Sequence, residues 1–543
     1  MKLTNIKKLF GLYTPFLLLF SSLDFIALTH SQWNLKINFR VIILLSSKRN
    51  MAKKVLIIGT GLGGLSTALR LSAKGYKVVM LEKHSTPGGR MNIIEMDGFR
   101  FDMGPSFMSM TYEFDELFDS VGTENPVKFE ELEPLYQVYF EGNDKPRRIF
   151  KDLKKLEAEF SDVEPDLAAK ADAYLKRAAQ FWHDTEDKVV KSNFDSLFKY
   201  LLKLSTVPWK HIPYLYRTMW SEVEKQFKSE EVRIIFSLVA FFLGATPFQT
   251  PAIYSLLNYT EMRHNGYWRI KGGMYRLVEA LVKILKERSV EFYLNTEVVS
   301  ICSSNGKLYE VIDQNGKKWE ADIFISNADA ASFRGQILGR KKFSEEKLDK
   351  MHWTLAPFTI YLGIKGKVES LEHHNYFLGN NFKGYADTIF TSSIAPQKPY
   401  YYVNVLSKSD SSCAPEGCEN IFILCPVPDL RFKKDWSDKE ELAKTIIDDL
   451  SKRVNFDLSS NILVKKVLAP DDWADMLNLY KGSGLGLAHD IDQVGAFRPK
   501  NKDEYFSNLY YVGASTTPGT GLPMVVISSR LVTERVINDS TLS

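Results

Sequence analysis

Cysteine is scarce in this chain. Cys302, Cys413, Cys418 and Cys425 are the four in 543 residues, and no two form a CxxC pair. That excludes a disulfide scaffold and points to reduced, mostly buried thiols in a reducing compartment. A membrane-spanning run is missing from the body of the chain: IIFSLVAFFL (234 to 243) is ten residues, too short to cross a bilayer and typical of a core segment. Net positive charge is missing there too. The chain carries +4 overall, but residues 1–50 hold seven Lys or Arg against Asp24 alone, a balance of +6 that leaves −2 for the rest. Counterion-driven nucleic-acid binding needs a basic face, so no nucleic-acid partner is expected. Metal-ligand spacing is absent as well. His373 and His374 are adjacent, but no further ligands stand at zinc-like intervals, so no metal is expected.

What is present is ordinary globular material, 45% hydrophobic and 25% charged, with room for up to about three folding units. The leader, residues 1–50, has a basic start (Lys2, Lys7, Lys8) and the apolar stretch LFGLYTPFLLLF, the outline of a signal or anchor. Ser21, Ser22 and Asp24 break it, and the alternative is that translation starts at Met51, four residues before the first strand.

From Val55 to Lys83 the sequence VLIIGTGLGGLSTALRLSAKGYKVVMLEK reads as strand, glycine turn, amphipathic helix and second strand. Gly59, Gly61 and Gly64 set the GxGxxG spacing, with Gly63 inside it. Gly59 allows the sharp exit from the strand, Gly61 lets a pyrophosphate approach the backbone, and Gly64 lets the helix pack on the sheet. The helix N-terminus offers N–H groups to a diphosphate. Glu82 ends the second strand, where an acid can accept ribose hydroxyls. A second glycine cluster, YVGASTTPGTGLPMVVISS (511 to 529), again runs from strand to turn to helix. It lies 454 residues after Gly59, so the nucleotide domain is discontinuous. Between the two, GYWRIKGGM (266 to 274) precedes a helix with Leu277, Leu281 and Ile284 on one stripe. VEFYLNTEVVSI (290 to 301) is a strand pair, and Asn305-Gly306 and Asn315-Gly316 are turns leading to DIFISNADA (322 to 330).

The segment PGGRMNIIEMDGFRFDMGPS (87 to 106) resembles the extended dinucleotide motif of the flavin amine oxidase superfamily, with Gly89 and Arg90 against the cofactor. With GATPFQTPAIYSLL, KGGM, SNAD, LEHHNYF, APEGCENIFILCPVPDL and FRPKNKDEYFSNLYYVGAS, residues 54–537 resemble the bacterial-type phytoene desaturases, FAD-dependent carotenoid desaturases and isomerases. The resemblance implies an α/β fold: a discontinuous Rossmann-like FAD-binding domain of the amine oxidase type (51–125, 265–345 and 481–539). Into it an α+β substrate domain with a helical membrane-facing part is inserted (126–264 and 346–480). It implies FAD held by Gly59, Gly61, Gly63, Gly64, Glu82, Gly89 and Arg90, an adenine contact from Val298, the pyrophosphate and ribityl region at Gly513, and the flavin ring near Thr517, Pro518, Gly519 and Gly521. Many members read THPG where this chain has Thr516-Thr517-Pro518-Gly519, so a role resting on that histidine does not transfer.

The implied reaction is stepwise dehydrogenation of a linear C40 or C30 polyene, with electrons passing to a quinone or oxygen. No residue is marked as the proton acceptor. Moving about forty carbons through water would cost on the order of 30 kcal/mol, so the enzyme is expected to dock as a monotopic protein on the cytoplasmic face of a membrane. The candidate surface combines Lys188, Lys191, Lys199, Lys203, Lys210 and Arg217 with Phe194, Phe198, Tyr200, Trp209, Tyr214, Tyr216 and Trp220. The bland reading of the same residues is a helical pair with its rings turned inward. Three rivals stand beside desaturation: carotenoid isomerisation, amine oxidation, and non-catalytic escort of prenyl lipids on the same scaffold.

Overall fold

The structure, a computed structural model, describes residues 52–194 and 196–542; the leader expected to be an anchor or an upstream extension lies outside them. Five parallel strands form one sheet, in the order Leu509–Tyr511, Ile323–Ser326, Lys54–Ile58, Lys77–Leu81 and Glu291–Tyr293. The first strand, KVLII, is apolar along its length after Lys54, as a strand covered on both faces requires. Its alternating side chains go to opposite layers. Val55 and Ile57 pack with Leu65 and Leu69 of the helix Leu62–Ala73 and with Leu277 and Leu281. Leu56 and Ile58 pack with Val298, Val311 and Trp319 of a three-stranded antiparallel sheet. Each such fully buried side chain contributes about 1.5–3 kcal/mol.

The chain returns to this sheet from far away. The strand Leu509–Tyr511 pairs with Ile323–Ser326, and the helix Leu522–Leu542 packs against Leu62–Ala73. The helix after KGGM spans Tyr275–Glu287, and its buried stripe is Leu277, Val278, Leu281 and Leu285. Ile284, expected on that stripe, is only half-buried, because the i, i+4, i+8 row runs through Leu285 instead. Asn305 and Gly306 both take positive φ (50° and 71°) and close the hairpin between Val298–Ser304 and Lys307–Asp313, as an Asn-Gly turn does.

A second sheet has seven strands, in the order Ile462–Leu468, Ala356–Lys365, Cys418–Val427, Tyr401–Asn404, His374–Leu378, Tyr136–Phe140 and Arg147–Ile149. One face carries Phe358, Ile360 and Leu362 against the helix Lys439–Val454. The other face is aromatic, with Tyr361, Tyr376, Tyr402 and Phe422 turned toward the helices between residues 153 and 235. The segment 234–243 is interior: Ile234, Ile235, Phe236, Leu238, Val239 and Ala240 are all buried. Among the described residues no helix is long and apolar enough to cross a membrane. All four cysteines are free; Cys413 and Cys425 are buried, Cys302 and Cys418 half-buried.

Candidate functional site

The C-terminal ends of the parallel strands meet at a glycine-lined cradle, the position where open α/β sheets bind ligands. The first strand leaves through Gly59 at φ +94°, a conformation costly for any side chain. The following helix has Gly61 as its N-cap with no side-chain cap, so its opening N–H groups face outward as anion donors. A Cβ on Gly64 would sit 2.3 Å from the Gly59 carbonyl oxygen, so an alanine here would force the turn to shift. A Cβ on Gly89 would lie 3.3 Å from the Gly61 Cα, and one on Gly63 would lie 3.3 Å from the Gly513 Cα. The GGR turn and the distant C-terminal turn therefore close on the same four residues, Gly61 to Gly64.

Asn327, at the end of the strand Ile323–Ser326, ties them together. With its amide oriented to satisfy both neighbours, it accepts from the Gly61 N–H at 3.2 Å and donates to the Val512 carbonyl at 3.3 Å. Glu82 is buried, and one carboxylate oxygen accepts from the Thr60 N–H (2.8 Å) and hydroxyl (2.7 Å) while the other accepts from the His84 N–H (3.1 Å). The carboxylate keeps acceptor capacity beyond these three. Val298 lies beside it, because the Thr296 N–H donates to the Glu82 carbonyl at 2.7 Å.

Arg90 donates to the Gly484 carbonyl at 3.0 Å and faces Asp329. Burial lowers the Arg90 guanidinium and raises the Asp329 carboxyl from their ordinary values. Arg90, the Ala331 N–H and the Ser515 hydroxyl hold the carboxyl back toward its charged form. At the C-terminal turn, Gly519 and Gly521 take φ of +150° and +110°. The His489 ring packs against Gly519, and its Nε2 accepts the Thr520 N–H at 3.2 Å. Burial and Arg498 keep that imidazole neutral.

The cradle borders a cavity of about 1340 Å³. Of the residues singled out in the sequence, Gly59, Gly61, Gly63, Glu82, Gly89, Arg90, Val298, Gly513, Thr517, Pro518 and Gly521 are on its wall. Gly64 and Gly519 are not. Gly64 is turned back onto the Gly59 carbonyl and Gly519 onto His489, so these two shape the turns without bordering the cavity. His373 and His374 are buried side chains: His374 stacks on Phe107 and bonds the Tyr402 hydroxyl at 2.6 Å.

Phe107, Tyr376, Tyr402 and Phe241 line the same cavity, and the exposed side chains of Leu201, Trp209, Ile212 and Tyr216 line it where it meets the surface. At that end Phe198, Trp209 and Tyr216 are 75%, 78% and 82% exposed, with Leu197, Leu201, Leu202 and Ile212 around them. The two sequence readings of this region divide between residues. Phe194 and Tyr200 are buried, and Lys191 is bridged to Glu113 and Glu186; Phe198, Trp209 and Tyr216 face outward.

The residues fit a dinucleotide flavin. The uncapped helix start suits a diphosphate, Glu82 retains acceptor capacity, and glycines stand wherever a Cβ would invade the cradle. Sequence reasoning missed Asn327, Asp329 and His489. The first two belong to SNAD, whose position after a strand neighbouring the first was the available signal; His489 had none. The family described as flavin-containing amine oxidoreductase matches residues 62–537. A zeta-carotene-forming phytoene desaturase of Myxococcus xanthus is 34% identical, covering 90% of this chain and 95% of its own. A phytoene desaturase of Fusarium fujikuroi is 33% identical, covering 90% of each. Among solved structures, an oxidoreductase of Methanosarcina mazei superposes with a TM-score of 0.59 at 18% identity, covering 89% of this chain and 100% of its own, a likeness of fold. The chain belongs to the flavin-containing amine oxidoreductase family, alongside the phytoene desaturases that it matches along nine-tenths of its length.

Proposed function

We propose that this protein is an FAD-dependent desaturase that dehydrogenates a linear carotenoid precursor, phytoene or its C30 counterpart diapophytoene. The observation that carries the reading is a single cavity bordered both by the glycine cradle and by an exposed apolar rim. Its wall beyond the cradle is aromatic and aliphatic, which suits an oily chain and offers a small cationic amine little. FAD supplies the two-electron acceptor that no side chain can provide. The protein's share is to hold an allylic C–H bond in reach and to exclude water. Tyr376, Tyr402, Phe107 and Phe241 pack along the chain, and Arg90 with Asp329 gives the cofactor end a fixed charge pair.

The substrate is delivered from a bilayer. Phe198, Trp209 and Tyr216, with Lys199 and Lys210 near them in sequence, form a rim suited to the headgroup layer of the cytoplasmic face, where the protein would sit as a monotopic guest. Electrons leave to a quinone or oxygen. Expression in a phytoene-producing and, separately, a diapophytoene-producing host tests the reading. A coloured product lighter by pairs of hydrogens supports it in either host. Unchanged pigment in both refutes it, and a product of unchanged mass assigns isomerisation instead.

A further inference from the structure

Four carboxyl side chains border the cavity among the described residues: Glu82, Glu261, Glu297 and Asp329. Three are engaged at the cofactor end. Glu82 is held by Thr60 and His84, Glu297 lies by Lys83 and Asn478, and Asp329 faces Arg90. Glu261 stands apart. It sits on the π-helical turn Thr260–His264, is 8% exposed, and has around it the rings of Tyr136, Tyr267 and Tyr376. The Tyr267 hydroxyl bonds it, and among the described residues no charged side chain shifts it. A carboxyl group taken out of water without a cation is expensive to keep. Asp102, the other strongly perturbed carboxyl, accepts the Met274 N–H at 2.8 Å and is off the cavity wall.

We infer that Glu261 is the group that accepts the proton when the bound polyene loses hydrogen. The inference rests on the desaturase reading above. In the step, a hydride with its bonding pair leaves one carbon for the flavin, which is thereby reduced by two electrons. A proton leaves the adjacent carbon for a Glu261 carboxylate oxygen, and the pair it leaves behind becomes the second bond of the new C=C. Glu261 then returns the proton to solvent, and a quinone or oxygen reoxidises the flavin. The position favours that proton transfer, since the carboxyl shares a wall with the aromatic rings that would flank the chain, and those rings offer no competing base. Burial pushes the Glu261 carboxyl up to about 8, with Tyr267 opposing the shift, so the ionised form is a stronger base than an exposed glutamate. The titratable groups facing it are Tyr136, Tyr267 and Tyr376, all held protonated by burial; His374, edge-on to Tyr267, is held neutral.

The test compares wild type, Glu261→Gln and Glu261→Asp as flavin-loaded proteins mixed anaerobically with phytoene or diapophytoene in phosphatidylglycerol vesicles. For Glu261→Gln, flavin content and melting temperature should match wild type while flavin reduction slows about 100-fold or more. The wild-type rate should rise with pH through about 8, and that rise should vanish in the amide variant. Infrared difference spectra, which need no turnover, should show protonated-carboxyl intensity titrating through about 8 in wild type, and Glu261→Gln should lose that component and keep the Asp102 component that titrates through about 7. Should the amide variant not fold, Glu261→Asp must slow reduction while keeping a titrating band. Wild-type rates in either variant, or a carboxyl spectrum in Glu261→Gln that is indistinguishable from wild type, overturn the inference alone. A wild-type protein whose flavin neither polyene reduces overturns the desaturase reading and the inference with it.

Discussion

Replacing Phe198, Trp209 and Tyr216 together by serine separates membrane docking from folding. The three rings are 75–82% exposed, so each presents about 110–200 Å² of a side chain that spans about 150–250 Å². At about 25 cal/mol per Å², transfer of all three into an apolar layer would release about 8–15 kcal/mol. Interfacial seating captures only part of that; half is about 4–7 kcal/mol, a loss of about three to five decades in vesicle partitioning. Folding should scarcely change, because exposed rings with few contacts cost within about 0.5 kcal/mol each when replaced. Flotation with anionic vesicles reads the first quantity and thermal melting the second. A triple variant that floats as wild type does refutes the docking argument, and one that melts far lower shows that the rings are structural.

Three further outcomes follow from the cradle and from the Glu164–Lys170 ion pair. Glu82→Ala orphans the buried Thr60 and half-buried His84 N–H donors and should cost about 2–5 kcal/mol with loss of bound flavin, read by denaturant melts and visible absorbance; Glu82→Gln should lose flavin affinity with less loss of stability. Gly64→Ala drives a Cβ to 2.3 Å from the Gly59 carbonyl oxygen and should cost about 1–3 kcal/mol or more, with depleted flavin at equal expression. Burial alone would raise the Glu164 carboxyl, but Lys170 and the Ser229 and Lys228 N–H groups bring it below its ordinary 4.5. A lowered folded-state value gives stability that is complete above the ordinary range and drains away as pH falls through the folded value. The advantage of wild type over Glu164→Gln should therefore be about 1–3 kcal/mol at neutral pH and shrink in acid; a gap that widens in acid contradicts the assignment.

The nucleotide half was legible because its signals are local. Gly59, Gly61 and Gly64 lie within six residues, and strand, helix and Glu82 stand in register around them. The second glycine turn was legible as a turn, but its arrival beside Gly63 depends on strand pairing between Leu509–Tyr511 and Ile323–Ser326, which no local pattern encodes. The seven-stranded sheet was the least visible element. Tyr136–Phe140 pairs in parallel with His374–Leu378, a partner more than two hundred residues away, and each strand is read alone as any short apolar run. Gly64 and Gly519 show the limit of spacing: both glycines are required, yet the contact that requires them is with the protein itself. Glu261 and His489 gave no signal because a single carboxylate or imidazole acquires its chemistry from burial, which only the fold supplies.

The central claim is that two glycine turns, far apart in the chain, hold one flavin at the inner end of an apolar passage. A crystal structure of the flavin-bound protein with a long polyene analogue tests it most directly. The diphosphate should lie at the start of the helix Leu62–Ala73, the ring system beside Thr517–Gly521, and the analogue in the passage lined by Tyr376, Tyr402, Trp209 and Tyr216. A flavin ring walled off from the analogue, or an analogue lodged outside this passage, would contradict it.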